Sequence, residues 1–472
     1  KGIMKKLIGT KDFYKRVIAI AIPIMLHQGI SSFVNLLDNI MIGNYSNQAM
    51  AGVSVTNQIF FVIEIVTIGS LAMAGVYLSQ YFGAKNQDGM RYSFRFKFWL
   101  GLGISIITLL VLGLFGNNLV NSFLTNPTTP EEKIAIENYA SDYLKIILLT
   151  IIPFVIVQIY SSSLREVGET IIPMIAGGIA VGVNAVFNLW FIFGGLGIPA
   201  LGVKGAAIAT LLARITEMTF LIIFTHKHKS KFTFVDDAFK SCYVPKYLVK
   251  NILVKGAPLI LNEFLWSFGT TFLLNVYSRR GTEVLKAFSI SNTTTNLFYI
   301  VFGALATAIS ILVGQSLGAG KLEEAVDNDR KLIAFTVFVC LIFGIILAII
   351  APFVPYIYHD SSEEVRHMAT CFMWVVAGGM TIFSFNSACF YTLRAGGVTI
   401  VTFLFDCLFI WSISIPTAVL LVKYTELNII NIYLIIQSTE IIKSIIGFFL
   451  IKSKVWVKNL AATDDGSTKI KI

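Results

Sequence analysis

The sequence predicts an all-α integral membrane protein, twelve transmembrane helices arranged in two homologous six-helix lobes. Three observations carry that prediction. First, the 472 residues are 56% hydrophobic and only 14% charged, whereas a soluble globular protein carries about 25% charged residues. Second, the apolar residues fall in runs long enough to cross a bilayer, which takes about 20 residues of helix each. Third, the chain repeats itself at long range.

Twelve apolar runs can be read: 17–42, 52–81, 94–116, 140–163, 171–194, 203–225, 248–277, 285–316, 331–357, 367–392, 400–422 and 429–451. Between the sixth and the seventh lies the longest polar connection. This divides the chain into an N-terminal lobe (1–225), a linker (226–247), a C-terminal lobe (248–451) and a tail (452–472). With the N terminus inside, 28 of the 37 Lys and Arg residues fall on cytoplasmic segments and eight on external loops, with Arg214 left inside span six. Arg279 and Arg280 break the pattern in loop 7–8, but the asymmetry places both termini in the cytoplasm. The net charge of +10 therefore reads as basic cytoplasmic loops and not as a nucleic-acid surface. The first run follows Lys5, Lys6, Lys11, Lys15 and Arg16 and is too long for the apolar core of a signal peptide. Cys242, Cys340, Cys371, Cys389 and Cys407 have neither metal nor disulfide spacing and read as reduced structural thiols.

The repeat appears in three blocks. At an offset of 235 residues Pro23, Leu26, Asn57, Gln80 and Gly83 fall on Pro258, Leu261, Asn292, Gln315 and Gly318. At 229, L-R-E-V-G-E-T (Leu164–Thr170) matches L-R-A-G-G-V-T (Leu393–Thr399), and at 223 Thr216-Glu217 matches Thr439-Glu440. Six spans per half is an even number, so both halves insert with the same orientation. The repeat is parallel, its pseudo-twofold axis along the membrane normal. Two such lobes enclose a cleft that opens to either side by rocking, so alternating access is the expected mechanism.

Several segments carry a family resemblance over nearly the whole chain. They are N-L-L-D-N-I-M-I-G in span one, Y-L-S-Q-Y-F-G-A-K after span two, L-R-E-V-G-E-T-I-I-P-M between spans four and five, and G-I-P-A-L-G-V-K-G-A-A-I-A-T before span six. The second lobe adds G-A-P-L-I-L-N-E-F-L-W, L-V-G-Q-S-L-G-A-G-K and L-R-A-G-G-V-T. Together they resemble the multidrug and toxic compound extrusion (MATE) transporters, closer to NorM-like than to DinF-like members. The resemblance implies multidrug efflux by antiport of an organic substrate against Na⁺ or H⁺. The wider superfamily also holds flippases of lipid-linked oligosaccharides or envelope precursors, the alternative reading.

A charge at the bilayer centre costs roughly 2.5–3.5 kcal/mol on insertion scales, so each intramembrane carboxylate needs an account. Asp38 in span one shares a helical face with Asn35 and Asn39, spaced i, i+3, i+4. Those amides can hydrogen-bond its carboxylate or offer neutral oxygens to a cation. Glu263 lies midway along span seven and aligns with Gln28 in the first lobe, so the halves are unlike there. Asp406 begins the polar face of span eleven, within reach of Arg394 near the cytosolic surface. The resemblance implies cation coupling for Asp38 and Glu263. Glu263 nonetheless stands about one turn earlier than the NorM-like pattern, and Asn188 in span five replaces the Asp of DinF-like members. We carry Asp38, Glu263 and Asp406 as cation-coupling candidates. Asn35, Asn39, Asn184, Asn188, Gln28, Glu64 and Asn292 are carried as cavity lining or hydrogen-bond support. Arg214 with Glu217, and Glu440 with Lys443, are i, i+3 neighbours and read as internal ion pairs.

Hinge and structural roles are expected elsewhere. Pro23 and Pro258 stand near the cytoplasmic starts of spans one and seven and are able to kink them. Arg165 and Arg394 satisfy the positive-inside rule and can cap helix carbonyls, while Gly168 and Gly397 supply backbone freedom for tight turns. No H-E-x-x-H, P-loop or G-x-S-x-G motif is present. Asp236-Asp237 and His226-x-His228 belong to a solvated charge run in the linker. The expectation is therefore a non-enzymatic secondary transporter without an organic cofactor, a monomer in the cytoplasmic membrane. Its expected partners are the lipid bilayer and small organic, cationic and amphipathic substrates.

Overall fold

The computed structural model describes residues 7–123, 130–195, 197–358 and 361–463, the side chains of 34–37 and 39 among a few left aside. Among the described residues twelve helices are long and apolar enough to cross a membrane. In the first half these are α1 (Lys11–Tyr45), α2 (Asn47–Gly83), α3 (Gln87–Phe123), α4 (Pro130–Glu166), α5 (Ile171–Phe193) and α6 (Val203–Lys227). In the second half they are α7 (Lys246–Ser278), α8 (Thr282–Gly318), α9 (Leu322–Ile350), α10 (Glu363–Ala395), α11 (Thr399–Tyr424) and α12 (Ile429–Lys452). A short α13 (Leu460–Thr463) follows. The ninth predicted run overshoots. Helix α9 stops at Ile350 because Pro352 and Pro355 cannot donate the backbone hydrogen bonds that would continue it.

Two helices are irregular in ways hydropathy does not show. Helix α11 passes through two π-helical turns, Leu404–Leu408 and Ile410–Ser414, where i→i+5 bonding widens the spiral and re-aims its side chains. Helix α12 is interrupted at Thr439, between Ile429–Ser438 and Glu440–Lys452.

The duplication is written into the helix ends. After α4, Gly168 N donates to Arg165 O (2.9 Å) and Glu169 N to Leu164 O (2.9 Å). After α10, Gly397 N donates to Arg394 O (2.9 Å) and Val398 N to Leu393 O (3.3 Å). Both glycines sit in the left-handed region, at φ +86° and +70°, which closes a helix by satisfying its last carbonyls and which only glycine enters without steric cost. Arg165 Nε also donates to Ser161 O at 3.2 Å.

The chain forms two compact units whose boundaries do not follow its midpoint. One unit takes the residues up to Met25, Ser79–Asn86, and everything from Lys250; the other takes Leu26–Leu78 and Gln87–Val249. Helix α1 therefore changes allegiance two residues past Pro23. Its first half buries Val17, Ile20, Ala21 and Ile24 in the same apolar cluster as Val276, Leu305 and Leu312. The end of α2 belongs to that unit through backbone contact. A Cβ on Gly83 would lie 1.9 Å from Gln315 O, and one on Gly318 would lie 1.8 Å from Gln80 O. Gln80 Nε2 donates to Ala395 O (2.9 Å) and Lys458 O (3.2 Å), and its Oε1 accepts from Leu460 N (2.6 Å).

The linker of the other unit is folded down and not simply a solvated run. Phe232, Phe234, Val235 and Ala238 are buried. Arg95, itself buried, donates to the carbonyls of Ala238 (2.5 Å), Asp237 (2.8 Å) and Tyr243 (3.0 Å). The carboxylates of Asp236 and Asp237 stay half-exposed, paired with Lys229 (3.4 Å) and Lys240 (2.6 Å). The hydrogen bond from Lys240 holds the Asp237 carboxyl below its usual range.

Two outcomes follow for folding. Arg95→Ala removes three charge-assisted bonds, each worth roughly 1.5–3 kcal/mol, so tryptic cleavage within 227–246 should accelerate at least tenfold while the helices stay protected. Unchanged cleavage would show that the linker is held by its phenylalanines alone. Gly318→Leu should lower thermal stability in detergent by about 1–3 kcal/mol or more, the usual overpacking cost. Gly303→Leu, where a side chain meets open space, should leave stability unchanged.

Candidate functional site

In the unit holding α3–α6, Asp38 of α1 meets α5. Helix α5 buries one stripe at i, i+4 spacing, Ala176, Ala180, Asn184 and Asn188, so both amides point inward. Asn188 Nδ2 donates to Asp38 Oδ1 at 2.5 Å. An amide orientation is assigned from its network. With the Asn184 nitrogen turned to the carboxylate, that nitrogen lies 2.9 Å from Oδ1 and 3.3 Å from Oδ2. Beyond Asn184 stands Thr210 of α6, within 3.3 Å, whose hydroxyl donates to Ala206 O. Tyr143 of α4 stands near Thr210 and lies in the field of Asp38. Asn188 Oδ1 is buried without a partner, an open acceptor beside the carboxylate. Close packing positions these helices: a Cβ on Gly205 of α6 would lie 2.4 Å from Phe191 O.

The same unit holds a second polar cluster. Arg214 Nη1 pairs with Glu217 Oε2 at 2.9 Å, as the i, i+3 spacing anticipates. His27 Nε2 of α1 lies 3.9 Å from Glu217 Oε1 and packs on Gly177, where a Cβ would lie 2.2 Å from the ring. Glu64 of α2 is exposed and sits in the field of Arg214. A buried Lys97 of α3 pairs with Glu166 at 2.5 Å and donates to Ser162 and Ser163.

The other unit gathers Glu263, Asn262, Arg394, Asp406 and Lys443. Glu263 of α7 lies in the fields of Arg394 and Asp406, and Tyr391 faces the same charges. Arg394 stacks over Tyr391 at 5.4 Å, and its Nε is buried without a hydrogen-bond partner. Asp406, inside the first π-helical turn of α11, pairs with Lys443 at 2.5 Å and not with Arg394. Asn262 Nδ2 donates to its other oxygen at 3.1 Å.

Asp38, Asn184 and Asn188 are thus brought together, and Glu263 lies near Asp406. Gln28 is half-buried and Asn292 exposed, and neither joins these clusters. The side chains of Asn35 and Asn39 lie outside the described residues. Four participants escaped the sequence reading: Tyr143, Thr210, His27, and Lys443 as the partner of Asp406. Only Thr210 had a signal, as the last residue of G-A-A-I-A-T in the first turns of span six. Chemically, the Asp38 cluster is a carboxylate held by neutral amides beside a free carbonyl oxygen. Among the described residues it has no ion-pair partner, so a proton or a monovalent cation is what would complete it.

Relatives agree with this architecture. A protein of Thermotoga maritima named "Probable multidrug resistance protein NorM" is 26% identical over 456 residues, 96% of this chain and 95% of its own length. A "Probable multidrug resistance protein YoeA" of Bacillus subtilis is 24% identical over 430 residues, covering 87% and 88%. A solved MOP superfamily transporter from Pyrococcus furiosus superposes with a TM-score of 0.82 at 20% identity, over 95% of this chain and 97% of that one. The MatE family model matches twice, over residues 23–190 and 258–420. Its two copies begin at Pro23 and Pro258, the prolines that the 235-residue repeat aligns. With twelve membrane-spanning helices and the family model matched once in each half, the chain belongs to the MatE family of transporters.

Proposed function

We propose that this chain is a multidrug exporter working by antiport of an organic substrate against Na⁺ or H⁺. It would sit in the cytoplasmic membrane as a monomer with both termini inside. The observation that carries the reading is the Asp38 carboxylate, held by Asn184 and Asn188 without a counter-charge among the described residues. Such a group is costly in a membrane and gains most from binding a cation. The names of the relatives supply the substrate class, small drug-like compounds.

Coupling then needs only that ion and substrate favour different states of the two lobes, or compete for one carboxylate. An amphipathic organic cation suits both features, with carboxylates for its charge and Phe, Met and Tyr side chains for its apolar body. Glu263 is the second-lobe acid of this scheme. Pro23 supports the mechanical side, since α1 passes from one unit to the other just after it and Asp38 rides on the far half.

Reconstitution into proteoliposomes under separately imposed Na⁺ and pH gradients is the test. Asp38→Asn should abolish gradient-driven export of a fluorescent cationic dye, and Glu263→Gln should reduce it at least tenfold. Full coupling in both variants would refute the assignment. Export of a lipid-linked sugar precursor without dye transport would instead favour a flippase. Asn188→Leu removes one hydrogen bond to a carboxylate, worth roughly 1.5–3 kcal/mol. It should shift the half-saturating driving-ion concentration about tenfold, upward for Na⁺, which loses the Oδ1 acceptor, and downward for H⁺, since the ionised carboxylate loses a donor; an unchanged ion dependence would detach Asn188 from the site.

A further inference from the structure

Lys443 is a lysine in the middle of a transporter lobe, only 6% exposed. Its Nζ lies 2.5 Å from Asp406 Oδ1 and 3.9 Å from Glu440 Oε2. It also stands over the rings of Phe405 at 5.3 Å and Phe409 at 5.9 Å. The surrounding acceptors are already served. Asp406 Oδ2 takes a bond from Asn262 (3.1 Å), and Glu440 Oε2 takes one from Asn386 (2.9 Å), whose own oxygen accepts from Ser444 (2.7 Å). The ammonium fills a coordination set of two carboxylates and two aromatic faces, one that would otherwise suit a free monovalent cation.

The repeat sharpens the point. At the three offsets, Asn262 corresponds to His27, Asp406 to Gly177, Glu440 to Glu217, and Lys443 to Phe220. In the first lobe His27 packs on Gly177, and Glu217 is neutralised by Arg214 and reached by His27. The glutamate is thus met by basic side chains of its own lobe in both halves. The second lobe differs by one added carboxylate, Asp406 for Gly177, and by a cation moved along its helix, since Lys443 stands for Phe220 while Gln437 stands for Arg214. The added carboxylate and the relocated ammonium touch each other in space. The π-helical turn Leu404–Leu408 carries Asp406 and Phe405 together to that ammonium.

We infer that Lys443 is a built-in counter-cation: it occupies the Asp406–Glu440 carboxylates and withholds them from the transported ion. Lys443 is therefore a residue that sets how many ions, and at which carboxylates, the exporter takes up. Asp38, which has no such tether among the described residues, is left as the principal site. This rests on the antiport reading, but its first test does not require transport.

The experiment is thermal unfolding of the purified full-length protein in detergent micelles, sodium chloride against choline chloride at equal ionic strength. Lys443→Met should gain a sodium-dependent rise in Tm of about 2 °C or more beyond that of the wild type, through ligand linkage. Lys443→Arg, which keeps the cation, should gain none. The double variant Asp406→Asn/Lys443→Met should return to the wild-type sodium response. A folded Lys443→Met with no added response overturns the inference, as does a double variant that loses a sodium response present in the wild type. If Lys443→Met cannot be purified, the ion-to-substrate ratio of the double variant in proteoliposomes decides. A ratio equal to the wild type's upholds the inference and a lower one overturns it. Failure of the antiport reading shows separately, as wild-type liposomes that export nothing under either gradient.

Discussion

A carboxylate within a bilayer must be given a partner, because hydrocarbon offers neither hydrogen bonds nor counter-ions. That constraint organises this molecule. Glu217 is met by Arg214 and His27, Glu166 by Lys97, Asp406 by Lys443 and Asn262, and Glu440 by Asn386 and Lys443. Each is satisfied by side chains of its own unit. Among the described residues Asp38 departs from this pattern, served by amides, as does Asp329, held by the Thr392 hydroxyl with its Oδ2 unpartnered.

The same constraint separates what the sequence revealed from what it hid. The twelve spans were legible because membrane crossing demands a length of apolar helix that local hydropathy reports directly. The repeat was legible because Pro23 and Pro258, or Gly168 and Gly397, keep their spacing and their backbone duties. Asp38 with Asn184 and Asn188 was legible because polar residues stand out in apolar runs and i, i+4 spacing fixes their face. The partner of Asp406 was not. Arg394 is nearer in sequence, and the choice of Lys443 depends on how α11 and α12 pack and on a π-helical turn that leaves no mark in hydropathy. Tyr143 and His27 were hidden for a related reason, since each is an ordinary residue that becomes polar lining only through a distant helix.

The unit boundary was equally out of reach of pattern. Apolar periodicity shows that Val17, Ile20, Ala21 and Ile24 are buried, and does not show against what. The first half of α1 and the last turn of α2 lie in the first half of the sequence yet pack with α7–α12. The proline between Ile22 and Ile24 stands where a single helix must serve two bodies, which fits a residue that frees one backbone hydrogen bond.

The crossing of α2 and α8 has one more consequence. Gly83 lies against Gln315 O while Gly318 lies against Gln80 O, and the 235-residue offset exchanges both members of that pair. The contact is isologous in form, with i meeting j as j meets i, the arrangement that identical protomers adopt about a twofold axis. A Q-x-x-G turn is thus complementary to a copy of itself. A single six-span polypeptide could build this contact by pairing with its twin, with no need of the linker that now joins the halves.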